Sequence, residues 1–134
     1  MLLTDSQGTP LGVTLSSASP HEVTLIEPLL EASQQKLPIK APLVYDKAAD
    51  SRPLRDCIKR RGLRLICPFI RRRNQKPRRM SQRDHKHYQH RWKIERTFGW
   101  LKNFRRLTTR WEYLPQLHLG FWQLGCLFTI LRGL

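Results

Sequence analysis

Acidic residues and cysteines are scarce in this 134-residue chain, which holds 10 Asp and Glu against 25 Lys and Arg, a formal net charge of +15. Its three cysteines, Cys57, Cys67 and Cys126, are odd in number and form no Cys-x-x-Cys pair. Neither a disulfide framework nor a cysteine-based zinc site is therefore expected. We expect reduced thiols, packed as small core residues, in a cytoplasmic protein.

Long apolar runs are also missing. The most apolar segment, residues 117–131, is too short to span a membrane and is interrupted by His118, Gln123 and Gly125. We therefore expect it to form a buried helix, and we expect no membrane partner. The first apolar residues have no basic segment ahead of them, so no secretory signal is expected.

The basic residues are concentrated in the middle of the chain. Residues 52–110 hold 21 Lys and Arg and only three Asp and Glu, a net charge of +18, whereas residues 1–51 carry a net charge of −3. So many like charges repel one another unless an anion neutralises them, and nucleic-acid phosphate is the usual anion. On charge alone, a ribosomal-type protein or a solubilising basic surface competes with a DNA-binding role.

Turn and periodicity signals predict an α/β fold. Two apolar runs flank the turn sequence Asp5-Ser-Gln-Gly8 and predict a β-hairpin. Residues 43–46 and 63–70 predict two short buried strands, and residues 51–61 predict a helix between them that stops at Gly62. Ser19-Pro-His-Glu22 predicts the start of another helix directly after the hairpin. The order hairpin, helix, strand, helix, strand, long helix predicts a mixed sheet flanked by helices.

Two carboxylates stand out in this pattern. Asp46 ends the first buried strand, and ligands and catalytic groups gather at the carboxyl ends of strands in α/β sheets. Glu95 lies on a long helix predicted over residues 88–102, and one face of this helix also carries Tyr88, Arg91 and Lys102. A carboxylate flanked by cations suits a metal ion that binds beside a phosphate. The alternative is an ordinary solvent-exposed pairing of Glu95 with the two cations.

The region between these carboxylates is basic and contains several histidines. His85, His87 and His90 have no neighbouring cysteine and do not show the spacing of a closed four-ligand site, so zinc is not expected.

Residues 71–87 lack apolar periodicity, which predicts a basic loop that is mobile or becomes ordered only on DNA. Residues 112–132 are predicted to form a C-terminal helix that covers the sheet.

Four residues of the predicted long helix match a family signature. They reproduce the Tyr-x2-Arg-x3-Glu-x6-Lys spacing of bacterial insertion-sequence transposases with a DDE catalytic domain: Tyr88, Arg91, Glu95 and Lys102. The segment Val44-Tyr-Asp-Lys-Ala-Ala-Asp-Ser51 resembles the second-aspartate motif of that family, in which the first aspartate is catalytic. The resemblance extends over nearly the whole chain and selects Asp46, while Asp50 is expected to cap the next helix.

The resemblance implies that residues 1–134 form the second half of an RNase H-like catalytic domain. It implies cleavage and strand transfer of double-stranded DNA at transposon ends, with a two-ion site for Mg²⁺, or for Mn²⁺ as the alternative. By matching position, Asp46 and Glu95 are the expected catalytic residues and metal ligands. Tyr88, Arg91 and Lys102 are the expected DNA contacts.

The family pattern is incomplete in this chain. In the family, the first catalytic aspartate lies on a strand upstream of the hairpin, and Asp5 sits in the wrong motif to replace it. We therefore expect a truncated or split copy, with its first strand missing and its metal site incomplete, that is inactive alone. Its expected partner is an upstream-frame half or an intact transposase. The alternative is a basic DNA-binding remnant without catalysis.

Overall fold

The computed structural model describes residues 1–17, 19–33, 37–71, 73 and 76–133. This part of the chain contains both strands and helices, so the α/β class is confirmed. In chain order the elements are β1 (Leu2–Thr4), β2 (Pro10–Val13), α1 (Ile26–Ala32), β3 (Pro42–Val44), α2 (Arg52–Arg60), β4 (Arg64–Ile66), α3 (Gln82–Tyr88), α4 (Trp92–Leu101), α5 (Arg105–Thr108) and α6 (Pro115–Leu131). The chain divides into two compact units, Met1–Gln35 with Trp92–Leu134 as the first and Lys36–Arg91 as the second.

Within its described residues, the first unit contains the predicted hairpin and four α-helices. Strands β1 and β2 pair antiparallel, and α4 packs on β1 while α6 packs on β2, α4 and α5. A buried apolar cluster joins these elements: Leu2, Leu101, Leu107 and Cys126. Burial raises the pKa of the Cys126 thiol to about 11, so this cysteine is a neutral core residue at pH 7, as predicted.

Asp5 organises the hairpin turn. Its Oδ1 accepts hydrogen bonds from Gln7 N at 2.8 Å and from Thr9 N at 2.9 Å. Gly8 completes the turn with φ of +95°, in a region where other residues are strained. Asp5 thus serves the turn, as the sequence predicts.

Gly8 is expected to be harder to replace than Gly62, although both have positive φ, +95° and +74°. An added Cβ at Gly8 would lie 2.9 Å from Thr97 Oγ1, whereas one at Gly62 would meet nothing within 4 Å. We expect Gly62→Ala to lower the free energy of unfolding by about 1 kcal/mol and Gly8→Ala by at least about 2 kcal/mol. Urea unfolding measures both, and equal losses would contradict a steric role for Thr97.

Helix α6 is shorter and more exposed than the predicted covering helix over residues 112–132. It begins at Pro115. Proline is tolerated there because an N–H in the first turn of a helix has no hydrogen-bond acceptor within the helix. Its buried side includes His118, Gly125, Cys126 and Thr129, while the leucines at positions 117, 124, 127 and 131 are 50–73% exposed. One side of α6 therefore packs in the unit, and the buried helix predicted for residues 117–131 is only partly confirmed. Among the described helices, none is both long and apolar enough to cross a membrane.

In the second unit, β3 and β4 pair in parallel, with Val44 opposite Ile66. Parallel neighbours need a crossover, which α2 supplies, and Gly62 follows the end of α2 as predicted. The strands of the described ranges form two separate pairs, not the single mixed sheet predicted from the element order. The order of elements along the chain predicts which strands form. Which strands pair with one another depends on tertiary packing.

Residues 71–87 are not a loop throughout, and positions 72, 74 and 75 lie outside the described residues. From Gln82 onward this segment forms helix α3, which Ser81 caps by accepting a hydrogen bond from Asp84 N at 3.1 Å. Asp84 also pairs with Arg64, and α3 packs on β3 and β4. Apolar periodicity does not reveal this helix because a cap and an ion pair hold it, and no side chain of α3 is fully buried.

Candidate functional site

Asp46 lies two residues beyond β3, at the carboxyl end of the parallel pair. Tyr45 N donates to Ile66 O at 2.9 Å, so Asp46 directly follows the last sheet hydrogen bond. The half-buried Asp46 begins a 3₁₀ turn, Lys47–Ala49, with its Oδ1 accepting a hydrogen bond from Ala48 N at 2.8 Å. The turn therefore fixes the orientation of one carboxylate oxygen of Asp46.

Asp50 does not cap α2, which corrects the expectation from the sequence. Its Oδ1 accepts a hydrogen bond from Arg55 Nη2 at 2.9 Å, and its Oδ2 accepts one from Ile70 N at 2.8 Å. Burial raises the pKa of Asp50, but the hydrogen bonds from Ile70 and Arg55 and the charges of Arg55 and Arg78 outweigh burial and lower it. Asp50 thus joins α2 to the segment after β4, because each of its oxygens meets a donor from a different element.

Tyr88 and Arg91 lie in the second unit, at the end of α3 and of the 3₁₀ turn Gln89–Arg91. Both residues are half-buried. The 3₁₀ turn interrupts the single helix that the sequence predicts over residues 88–102. Because a 3₁₀ turn has about 3.0 residues per turn, the angular spacing of an α-helix does not extend across it.

Glu95 and Lys102 lie in the first unit, on α4 and directly after it, and both are exposed. Lys102 N donates to Phe98 O at 2.9 Å, so the helical register continues to Lys102. Seven residues of α-helix leave two side chains about 20° apart around the axis. The structure thus places these two signature residues on one exposed face.

Several cations of the basic region are engaged within the protein. Each donates a hydrogen bond to a carboxylate or a backbone carbonyl: Arg55 to Asp50, Arg64 to Asp84, Lys93 to Ser6 O, Arg96 to Gln7 O and Arg106 to Glu112. Arg96 also lies over the rings of Trp92 and Trp100, 5.1 and 4.7 Å from their centroids. These contacts leave fewer cations available for an external phosphate. A count of charges in the sequence does not reveal them.

A complete metal centre is not assembled within the described residues, where no group of three or more His, Cys, Asp and Glu side chains could hold an ion. Asp46 belongs to the second unit and Glu95 to the first. Their carboxylates are the oxygen ligands that Mg²⁺ prefers. Each of the two carboxylates fits a magnesium ion by its chemistry, and a two-ion centre needs further ligands.

The protein is expected to lose stability in acid because of three carboxylates, Asp50, Asp84 and Glu112. Burial raises the pKa of each, but hydrogen bonds and neighbouring cations outweigh burial and lower it below the ordinary 3.8 of Asp or 4.5 of Glu. A lowered pKa contributes stability above the ordinary value, and that stability is lost as the pH falls through the folded-state pKa. The urea concentration at half unfolding, measured between pH 7 and pH 3, should therefore begin to decrease below about pH 4.5. Asp84→Asn should weaken the dependence, and an unchanged dependence would contradict this account.

The family model described as the transposase DDE domain matches residues 1–130 of the chain. The chain is also 33% identical, over 132 residues, to the inferred transposase for insertion sequence element IS402 of Burkholderia cepacia. That match covers 93% of this chain and 58% of the relative, so the chain spans less than two thirds of the relative's length. No solved structure matches the chain. The family match over residues 1–130 confirms the resemblance seen in the signature residues, and the chain belongs to the DDE transposase family.

Proposed function

We propose that the chain works within a transposase that cuts double-stranded DNA at the ends of an insertion sequence and joins the freed ends to a new site. One observation carries the proposal: a chain of this family presents Asp46 at the carboxyl end of its parallel strands and Glu95 beside Lys102 on an exposed helical face. Cleavage and joining are both in-line attacks on a phosphodiester, by water or by a 3′-hydroxyl. Carboxylates beside a cation suit that chemistry.

Asp46 and Glu95 are the proposed catalytic residues and metal ligands. Asp46 is already oriented by Ala48 N, whereas Asp50 fits less well because both of its oxygens accept hydrogen bonds within the protein. Mg²⁺, or Mn²⁺ in its place, would supply a Lewis acid that activates the attacking hydroxyl and stabilises the leaving oxygen. The third carboxylate of a DDE centre would come from an upstream-frame half or from an intact transposase.

The proposed DNA contacts are Tyr88, Arg91 and Lys102. Lys102 shares its exposed face with Glu95, so a phosphate that pairs with the ammonium group would lie next to the carboxylate. Arg91 would hold a second phosphate, and Tyr88 would contact the same strand. The charge of +18 over residues 52–110 would attract the duplex from a distance.

The proposal includes an RNase H-like fold for the complete catalytic domain. Support comes from the parallel pair β3 and β4 with its crossover helix α2, since crossover units build the sheets of α/β domains. Asp46 at the end of that pair occupies the position where such sheets carry ligands. A transposase of this kind would work in the cytoplasm, where its DNA lies.

The test is cleavage of a labelled duplex that carries the ends of the element, in the presence of Mg²⁺. We expect the chain alone to bind the duplex without cutting it, and the chain combined with its upstream half to cut at the element ends. Chelation of divalent ions by EDTA should abolish cutting. Cleavage that persists in EDTA would contradict the proposal, as would a combined protein that binds the ends and never cuts them.

A DNA-binding protein without catalysis is the second candidate, and the concentration of positive charge over residues 52–110 favours it. It predicts that the chain binds duplex DNA and that the combined protein does not cut. The slope of log Kd against log salt should be about 0.9 for each phosphate contacted. Affinity that does not change with salt would contradict both candidates.

A further inference from the structure

The turn of the β1–β2 hairpin is held by three side chains of α4. The acceptors are three consecutive carbonyls of the turn, and the donors lie at positions i, i+3 and i+4 of the helix. The pairs are Lys93 Nζ with Ser6 O, Arg96 Nη2 with Gln7 O and Thr97 Oγ1 with Gly8 O, each at 2.7 Å. Residues with this spacing share one helical face, so the turn contacts a single side of α4.

Thr97 is the most constrained of the three donors. It is 0% exposed, and its hydroxyl also lies 3.0 Å from Lys93 O. The close approach depends on Gly8, because a Cβ there would lie 2.9 Å from Thr97 Oγ1. The turn itself is prearranged by Asp5, which accepts hydrogen bonds from the amide of Gln7 within the turn and from that of Thr9 directly after it.

Glu95 lies on the side of α4 opposite to this contact. At about 100° per residue, Glu95 is displaced by about 160° to 200° from Lys93 and Thr97, and Lys102 shares its direction. A rotation of α4 by one residue position would break all three hydrogen bonds to the turn. The turn therefore fixes the rotation of the helix about its axis, and this rotation determines where Glu95 points.

We propose that the Asp5–Gly8 turn is a positioning element for Glu95, and that Thr97 is its principal contact on the helix. The inference rests on the proposed function, because it assigns the turn a role in presenting a catalytic carboxylate. It also explains why Lys93 and Arg96, although cationic and close to the signature residues in sequence, face a protein turn. The two cations are positioning residues rather than phosphate ligands.

The test compares Thr97→Val, which keeps the shape of the side chain and removes its hydroxyl, with Thr97→Ser, which keeps the hydroxyl. We expect amides of the turn and of α4 to exchange hydrogen about tenfold faster in Thr97→Val, as measured by hydrogen–deuterium exchange. In the combined protein, the cleavage rate at saturating DNA should fall about tenfold, while DNA affinity stays within about twofold. Thr97→Ser should resemble the parent in both measurements.

A Thr97→Val variant that cleaves DNA at the rate of the parent would overturn the proposal, as would unchanged amide exchange in this variant. An equal loss of cleavage rate in Thr97→Ser would overturn it as well. If Thr97→Val does not fold, Lys93→Met takes its place, since it removes a donor from a half-buried residue. The expected loss of cleavage rate is then about threefold, because one of the three contacts is removed. A parent that never cuts DNA would refute the proposed function and with it a catalytic role for the turn, and the exchange data would separately show whether the turn holds α4.

Discussion

Replacing Glu95 by glutamine is expected to lower the rate of DNA cleavage by the combined protein about 10³-fold, with DNA affinity within about threefold of the parent. Glutamine preserves the size of the side chain and one oxygen acceptor, but it removes the negative charge that attracts a divalent cation. Because Glu95 is exposed, the free energy of unfolding should change by less than about 0.5 kcal/mol. Cleavage is measured as the single-turnover rate on a duplex with one element end, and affinity by titration of the same duplex in EDTA.

A matched control separates this effect from a change in net charge. Asp56→Asn removes the same charge from an exposed position of α2, so it should leave cleavage within about twofold of the parent. Asp46→Asn should reproduce the loss seen for Glu95→Gln, because both carboxylates are proposed ligands. Parental cleavage by Glu95→Gln would remove the basis for a catalytic role. A loss in Asp56→Asn as large as that in Glu95→Gln would assign both effects to charge alone.

Leu101→Ala is expected to lower the free energy of unfolding of the first unit by about 3 to 4 kcal/mol. Leu101 is 0% exposed and packs with Leu2, Leu107 and Cys126. Gly125 brings the backbone of α6 close to it, since an added Cβ at Gly125 would lie 3.2 Å from Leu101 Cδ2. A helix backbone cannot move easily to fill the space, so truncation would leave a cavity as well as remove apolar contact.

The control for this prediction is Leu124→Ala, which makes the same chemical change on α6. Leu124 is 52% exposed, so its truncation should lower the free energy of unfolding by less than about 1 kcal/mol. Urea unfolding followed by tryptophan fluorescence compares the two variants. A loss for Leu101→Ala no larger than that for Leu124→Ala would contradict the assignment of Leu101 to the core.

Features whose causes lie within a few residues were predicted correctly. The hairpin follows from apolar runs around Asp5 and Gly8, and the end of α2 follows from Gly62. The sequence predicts Asp46 at the end of a strand, and in the structure it lies two residues beyond β3. Apolar periodicity and turn chemistry are local signals, so predictions made from them do not depend on contacts with distant parts of the chain.

Features that depend on distant partners were predicted less well. The sequence predicts a loop where α3 forms, because this helix attaches through Asp84 to Arg64 and has no apolar stripe. The sequence predicts that Asp50 caps α2, but Arg55 and Ile70 N donate hydrogen bonds to its two oxygens. The sequence predicts one helix over residues 88–102 because the signature spacing fits an α-helix, whereas the structure has a 3₁₀ turn that ends at Arg91.

The sequence by itself determined the family, through the fixed spacing from Tyr88 to Lys102 behind the Asp46 motif, and the local elements that carry these residues. The tertiary structure decided which cations of the basic region are engaged within the protein. Lys93 and Arg96 contact carbonyls 87 and 89 residues away in the chain. Such contacts form only when packing brings the segments together. The entropy lost in closing a long loop is offset by the free energy of packing the core, which no local sequence pattern reveals.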